Sequence, residues 1–323
     1  MASRRRVLVC GATGFIGRNL VETLARQPDL EVHALRHIAP AYEVPGVRWR
    51  HADLLKQADV STAVQGMDVV VQAAATTSGV RDIVNSPHIH VTDNAVMNSL
   101  LLRECHEAKV GHFVFFSCSV MYGARDRPWR EDEWDAGQAL HPSYFGAGWT
   151  KVYIERMCEF FAGLGVTRHT VIRHTNVYGP HDKFDLERSH VMAATITKAL
   201  SGTDGTLRVW GDGSEARDLI YVGDLVRFVE LAIRNQTASY ELLHASSGRA
   251  VQVRHLVEAV IAASGRSLAV EYDTTKPTIK TSFALDSGRA LERLGWKAEV
   301  TMEEGIARTI RWWRETLGAG KLP

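Results

Sequence analysis

The sequence predicts an α/β fold, a doubly wound parallel sheet with a smaller C-terminal cap, on three observations. Short apolar runs alternate with helix-spaced segments along the first half of the 323-residue chain. The runs are apolar throughout rather than alternating, as parallel strands covered on both faces must be. The first run ends at a glycine-rich turn that opens directly into helical spacing.

In chain order, Val7-Leu8-Val9-Cys10 reads as the first buried strand. Residues 15–26 follow as a helix, with Phe15, Ile16, Leu20, Val21 and Leu24 on one face. Residues 31–35, Val69-Val70-Val71, Phe113 to Phe116 and Thr170-Val171-Ile172 read as further strands. Helices are expected between them, notably over 92–109 and 148–163. The second half is more mixed. Leu207 to Trp210 reads as a strand closed by a Gly211-Asp212-Gly213 turn, with helices over about 223–235, 253–263 and 302–317. There is no repeat, low-complexity tract or clear linker. Residues 1–175 are therefore expected to form a nucleotide-binding domain, joined by about 216–245. Residues 176–323 are expected to form mainly the substrate-binding cap.

Composition narrows the partners. Thirty-eight basic and 37 acidic residues leave a net charge of +1, so no global field favours nucleic acid or an anionic membrane. An anionic ligand must be held locally. The four cysteines, Cys10, Cys105, Cys118 and Cys158, form no Cys-x-x-Cys pair and no zinc-ligand spacing. No metal is expected, and a reducing, cytoplasmic location is. Arg4-Arg5-Arg6 before Val7-Leu8-Val9 is too short to be a signal peptide. No stretch reaches the ~20 apolar residues of a membrane span.

Gly11-Ala12-Thr13-Gly14-Phe15-Ile16-Gly17 joins the first strand to the first helix. The first glycine permits the tight turn, the second lets backbone approach a pyrophosphate, and the third allows close helix–strand packing. In this strand–turn–helix context the triplet predicts a Rossmann dinucleotide site. An acidic residue ending the second strand would hold an NAD ribose, but the chain has Ala34-Leu35-Arg36-His37 there. Arg36 suits a 2′-phosphate, so NADP is favoured and NAD is the alternative. Asp53 and Leu54 are placed to meet the adenine. Ala73-Ala74-Ala75 leaves room for backbone beside the cofactor.

Three further motifs are Phe116-Ser117-Cys118-Ser119-Val120-Met121-Tyr122-Gly123, Asn176-Val177-Tyr178-Gly179-Pro180-His181-Asp182, and Arg217-Asp218-Leu219-Ile220-Tyr221-Val222-Gly223-Asp224. With the glycine loop, they resemble the extended short-chain dehydrogenase/reductases over nearly the whole chain. The nearest branch is that of GDP-L-fucose synthase and related GDP-sugar epimerases and reductases. It is carried by Gly179 to Phe184, Ser189-His190-Val191 and Val209-Trp210-Gly211.

The resemblance implies hydride chemistry on a nucleotide sugar, a GDP-sugar being favoured, by 4-keto reduction or epimerisation. It also implies a Ser/Thr, a Tyr and a Lys that act together, with Tyr and Lys four residues apart on one helix face. Lys151 matches, and the tyrosine position is Ala147. Tyr144 lies seven residues before Lys151, roughly 10 Å of helical rise. Three readings follow: a tyrosine deliberately exchanged for alanine, a natural enzyme with another acid/base, and a catalytically silent NADP-binding sensor or scaffold. The hydroxyl position falls on Cys118, flanked by Ser117 and Ser119, although Cys118 could equally be inert packing. The branch's epimerisation cysteine falls on Val120, which moves no proton, and its histidine falls on His190. As substrate contacts the resemblance implies Asn176, His190, Val191 and Arg217, the last for the nucleotide phosphate. Lys183 and Lys276 are further phosphate partners or solvated lysines, and Trp210 either stacks on the base or packs the cap. A homodimer through the helices over 92–109 and 148–163 is the implied assembly.

Overall fold

A computed structural model of the chain describes residues 4–76, 88–186, 189–276 and 282–318. Seven parallel strands form the main sheet: β1 (Arg5–Cys10), β2 (Leu30–Arg36), β3 (Arg48–His51), β4 (Val69–Gln72), β5 (His112–Phe116), β6 (Arg168–His174) and β10 (Tyr240–Ala245). Their order is β10-β6-β5-β4-β1-β2-β3, so the winding reverses between β1 and β4. In doubly wound sheets that reversal opens the ligand crevice at the carboxyl ends of the strands. The described chain is thus a doubly wound α/β fold with a smaller C-terminal part.

Alternation along each strand divides the core into two layers. Val7 and Val9 pack in one cluster with Leu20 and Val21 of helix α1 (Phe15–Leu24). Leu8 and Cys10 pack in the other with Leu101 and Leu102 of α3 (Ile89–Glu107) and Ile154 and Cys158 of α4 (Phe145–Gly163). A period of two sends neighbouring residues to opposite faces. Each fully buried aliphatic side chain contributes about 1.5–3 kcal/mol. Helix α2 (Gln57–Val64) completes the second layer.

The C-terminal part carries two small sheets. One is β11-β9-β7, from Ala250–Gln252, Ala216–Tyr221 and Asn176–Tyr178; the other is β12-β8, from Ala269–Asp273 and Thr206–Trp210. Helices α5 (Val191–Ser201), α6 (Val222–Asn235), α7 (Val253–Ser264), α8 (Gly288–Leu294) and α9 (Met302–Thr316) complete the described chain. Two buried carboxylates fasten it. Asp218 Oδ2 accepts from Ser246 Oγ at 2.5 Å and Leu285 N at 3.2 Å. Asp224 Oδ2 accepts from Glu299 N at 3.1 Å and Val300 N at 2.9 Å.

Three features depart from the sequence reading. Strand β3, Arg-Trp-Arg-His, carries no apolar run because it is the sheet edge and none of its side chains is fully buried. β10 joins the main sheet beside β6 although its sequence, Tyr-Glu-Leu-Leu-His-Ala, announces no strand. Helix α4 begins three residues earlier than expected, after a 3₁₀ turn at Pro142–Tyr144. There His141 Nδ1 accepts from Ser143 N at 3.3 Å, and Pro142 begins the turn. Among the described residues, no helix is long and apolar enough to cross a membrane.

Candidate active site

The glycine loop is a cradle that tolerates no side chain. Gly11 has φ +72°, and a Cβ there would lie 2.6 Å from Ala74 N. A Cβ at Gly17 would lie 2.0 Å from Gly11 O. Gly14 caps α1 with no side chain over it, so Phe15 and Ile16 present open N–H groups at the positive end of the helix. Thr13 is half-buried in the same turn. Such a backbone fits a dinucleotide pyrophosphate. Tyr42, which the sequence reading did not single out, covers the loop. Its hydroxyl donates to Ala12 O at 3.1 Å, and the Arg18 guanidinium lies 4.2 Å from its ring centre.

Arg36 ends β2 half-exposed, with no side-chain hydrogen bond or ion pair among the described residues. Beside it, His37 Nε2 lies 4.0 Å from Asp53 Oδ2. Asp53 Oδ1 accepts from Leu55 N at 3.0 Å, and that bond leads the causes holding its carboxyl below the usual range. Leu54 is buried. The Ala73-Ala74-Ala75 stretch rests on a buried amide ladder. Gln72 Oε1 accepts from Ala74 N at 3.2 Å, Gln72 Nε2 donates to Asn98 Oδ1 at 3.2 Å, and Asn98 Nδ2 donates to Asn94 O at 2.7 Å.

Past the ends of β5 and β6, Lys151 Nζ donates to Phe116 O at 2.8 Å and lies 4.7 Å from the Phe115 ring centre. Burial lowers the Lys151 pKa, and Cys118 and Glu155 oppose the shift. Cys118 is partly exposed beside it. Its sulfur accepts from Val120 N–H, while burial, the largest cause, raises the thiol pKa against Lys151. The other three cysteines are buried and inert. Tyr144, half-buried at the start of α4, lies within electrostatic reach of Cys118 and Arg217. Burial raises its pKa, and Arg217 opposes that. Ala147 lines a cavity of about 430 Å³ with His88, His90, Val91, Pro142, Ser143 and Gly146.

Ser117 is turned away from this crevice. Its hydroxyl donates to Glu155 Oε1 at 2.5 Å, within a network that continues through Arg173. Arg173 meets Glu155 with Nε at 2.9 Å and Nη2 at 2.6 Å, and donates from Nη1 to Tyr122 Oη at 2.7 Å. Tyr122 Oη in turn pairs with His244 Nε2 at 2.6 Å. Committed to that network, Ser117 is not free for substrate, against the expectation that it could serve as the active hydroxyl. Ser119 is buried, and its carbonyl accepts from Tyr122 N at 3.1 Å.

His174, which sequence reasoning missed, is the last residue of β6. Its ring lies 6.1 Å from that of Phe116, whose carbonyl holds Lys151. Both Lys151 and His190 act on it electrostatically. A histidine in a Val-Ile-Arg-His-Thr run gives no periodic signal; only its place at a strand end could have flagged it.

Of the residues expected to meet substrate, Asn176 Nδ2 donates to Asp218 O at 3.2 Å, and Arg217 Nη1 donates to Ala216 O at 2.9 Å. His190 precedes α5, and Val191 is its first residue. The His190 ring is exposed by area but deep among protein atoms, so desolvation and then Lys183 lower its pKa. Trp210, 53% exposed, and Lys276 lie at the β12-β8 sheet, where no described contact ties them to Lys151 or Cys118. Among the described residues no His/Cys/Asp/Glu group could hold a metal ion.

Residues 7–243 match the model of the NAD dependent epimerase/dehydratase family. The chain is 29% identical over 320 residues to a dTDP-4-dehydro-6-deoxy-D-allose reductase from a Streptomyces species, covering 96% of each chain. It is 26% identical over 328 residues to GDP-L-fucose synthase of Escherichia coli K12, covering 97% of this chain and 98% of that protein. Among solved structures, MoeE5 in complex with UDP-glucuronic acid and NAD superposes with a TM-score of 0.84 at 28% identity, over 97% of this chain and 100% of that one. UDP-glucose 4-epimerase of Thermotoga maritima, with UDP-glucose, superposes with a TM-score of 0.83 at 26% identity, over 97% and 99%. With the glycine cradle, the strand-end lysine and this full-length similarity, the chain belongs to the NAD dependent epimerase/dehydratase family of extended short-chain dehydrogenase/reductases.

Proposed function

We propose that this chain exchanges hydride with the ring of a nucleotide-activated sugar, as a 4-keto reductase or 4-epimerase, with NADP preferred over NAD and a GDP-sugar as preferred substrate. The observation that carries this reading is Lys151, a half-buried ammonium anchored on the Phe116 carbonyl beside Cys118, at the crevice end of the parallel sheet. The cofactor, when bound, supplies or accepts the hydride. Gly11, Gly14 and Gly17 would bring backbone to its pyrophosphate, Arg36 would meet a 2′-phosphate, and Lys151 would donate to the nicotinamide ribose. Arg217 would hold the nucleotide diphosphate, and Asn176 and His190 would face the sugar.

The assembly we propose is a homodimer. Val96 on α3 and Tyr153 and Phe160 on α4 are 41%, 44% and 58% exposed. Ser99 Oγ lies 3.3 Å from Tyr153 Oη, which joins the two helices into one face. An apolar face of that kind suits a matching helix pair.

Ala147 favours a second reading, a dinucleotide-binding protein without turnover. Titration with GDP-, UDP-, CDP- and dTDP-sugars and their 4-keto forms, in the presence of NADP(H) and of NAD(H), separates the two. Conversion of one sugar nucleotide supports the enzyme, as a mass change with matching nicotinamide absorbance for a reduction or as a new isomer of unchanged mass for an epimerisation. Dinucleotide binding with no sugar-nucleotide affinity supports the silent protein.

A further inference from the structure

Alanine at 147 leaves the crevice without its expected proton carrier, and of the groups bordering Lys151 and Cys118 most are unsuited to take its place. Lys151 is an ammonium already donating to Phe116 O and has no lone pair to offer. The Cys118 thiol is held protonated by burial and accepts from Val120 N–H. Tyr144 lies within electrostatic reach of Cys118 and Arg217, and burial likewise keeps its phenol protonated. Ser117 is spent on Glu155. His190 lies next to Lys183, and no side-chain hydrogen bond among the described residues fixes its ring.

His174 differs from all of these. Its Nδ1 lies 2.8 Å from Thr175 O. A carbonyl only accepts, so Nδ1 carries the proton and Nε2 keeps its lone pair. Nε2 has no hydrogen-bond partner among the described residues, and the ring is partly exposed at the end of β6. Its position is fixed from both sides. Phe116 stacks edge-on against it at 6.1 Å, and Arg173, one residue before it, is bound to Glu155 by two hydrogen bonds. Burial above all, with Lys151 and His190 also acting, holds the imidazole neutral, with a pKa of about 4. The ring is therefore a fixed, unprotonated acceptor beside the lysine that anchors the cofactor side.

We propose that His174 Nε2 is the group that exchanges a proton with the reacting sugar oxygen in this chain, in the role left open by Ala147. The assignment rests on the hydride chemistry proposed above. In the oxidising direction the sugar O–H bond breaks and its proton passes to Nε2. The adjacent C–H bond breaks with its electron pair, which leaves as hydride to the oxidised nicotinamide dinucleotide, and the sugar carbon becomes a ketone. In the reducing half of an epimerisation the same imidazolium returns its proton to the ketone oxygen as hydride arrives; in a net reduction Nε2 first takes that proton from solvent. Close to Lys151 the imidazolium is unfavourable, so the proton is returned readily.

The test compares wild type, His174→Gln, His174→Ala and Tyr144→Phe, using the sugar nucleotide found in the titration. Two readouts are taken: single-turnover hydride transfer, and equilibrium affinity for the hydroxyl sugar nucleotide against its deoxy analogue. Glutamine accepts a hydrogen bond but takes no proton, so His174→Gln is expected to slow hydride transfer by about 10²–10⁴-fold with little change in affinity. His174→Ala is expected to lose the roughly threefold to tenfold preference for the hydroxyl ligand and to regain part of its rate with added imidazole. Tyr144→Phe is expected to keep most of the rate. A His174→Gln rate within about threefold of wild type, or no imidazole rescue of His174→Ala, overturns the assignment and leaves the sugar-nucleotide reading intact. A wild type that never transfers hydride to or from any sugar nucleotide overturns both.

Discussion

Single side chains carry the proposed cofactor choice and one pH response. Arg36 is open at the end of β2 and carries the proposed preference for a 2′-phosphate. Charge-assisted pairing of that kind contributes about 1.5–3 kcal/mol. Arg36→Ala is therefore expected to weaken NADP binding tenfold or more, on the scale of about 1.4 kcal/mol per decade, and to change NAD binding little. Calorimetric isotherms for both dinucleotides check this, and equal losses would remove Arg36 from the site. Asp182 is a different case. It is 8% exposed, its Oδ1 accepts from Lys183 N at 2.7 Å, and its Oδ2 has no partner among the described residues. Burial raises its pKa to about 7. Because the folded pKa lies above the unfolded one, the protonated acid stabilises the fold at low pH. That stability is lost as pH rises from about 4 through about 7. Asp182→Asn should abolish this decline, so its stability relative to wild type should rise across the interval by on the order of 2–4 kcal/mol. Urea unfolding at several pH values reads it directly, and parallel curves for the two proteins would contradict the assignment.

At the scale of elements, the site depends on how α4 is fastened to the ends of β5 and β6. Glu155 lies one helical turn after Lys151, Ser117 directly before Cys118, and Arg173 directly before His174. Glu155 bonds both of the others, so one carboxylate sets the relative position of three crevice residues. Its ion pair with Arg173, 2.6 Å and almost fully buried, is satisfied on every side. Removing one charge leaves the other desolvated and unpaired, at about 3–5 kcal/mol. Glu155→Gln is expected to lower unfolding free energy by about that amount, and Ser117→Ala by only about 2 kcal/mol. Denaturant midpoints distinguish the two, and equal losses would show that the network acts only through hydrogen bonding.

For the whole molecule, the exposed apolar face of α3 and α4 matters most, because the crevice begins on α4. Phe160 is the most exposed aromatic on the outer half of that helix. Phe160→Arg is expected to convert a dimer to a monomer, read by light scattering on eluted protein, with cofactor affinity kept within about threefold. A wild type that is monomeric at micromolar concentration would place the apolar face in another role.

The sequence by itself determined the winding of the sheet, because apolar strands and the Gly11–Gly17 turn are local signals that need no knowledge of the rest of the chain. The resemblance to a family whose Tyr and Lys stand four residues apart on one helix face pointed to Lys151 and to the alanine at 147. Edge strand β3 and strand β10 were not legible, because one is polar by position and the other is a strand only through its pairing with β6. Tertiary structure alone decided which residues border Lys151. It turned Ser117 inward to Glu155, left Cys118 at the crevice, set Tyr144 near Arg217 and brought His174 beside Phe116. Those relations join residues 33 to 73 positions apart along the chain. They depend on side-chain direction at strand ends, which neither periodicity nor composition encodes.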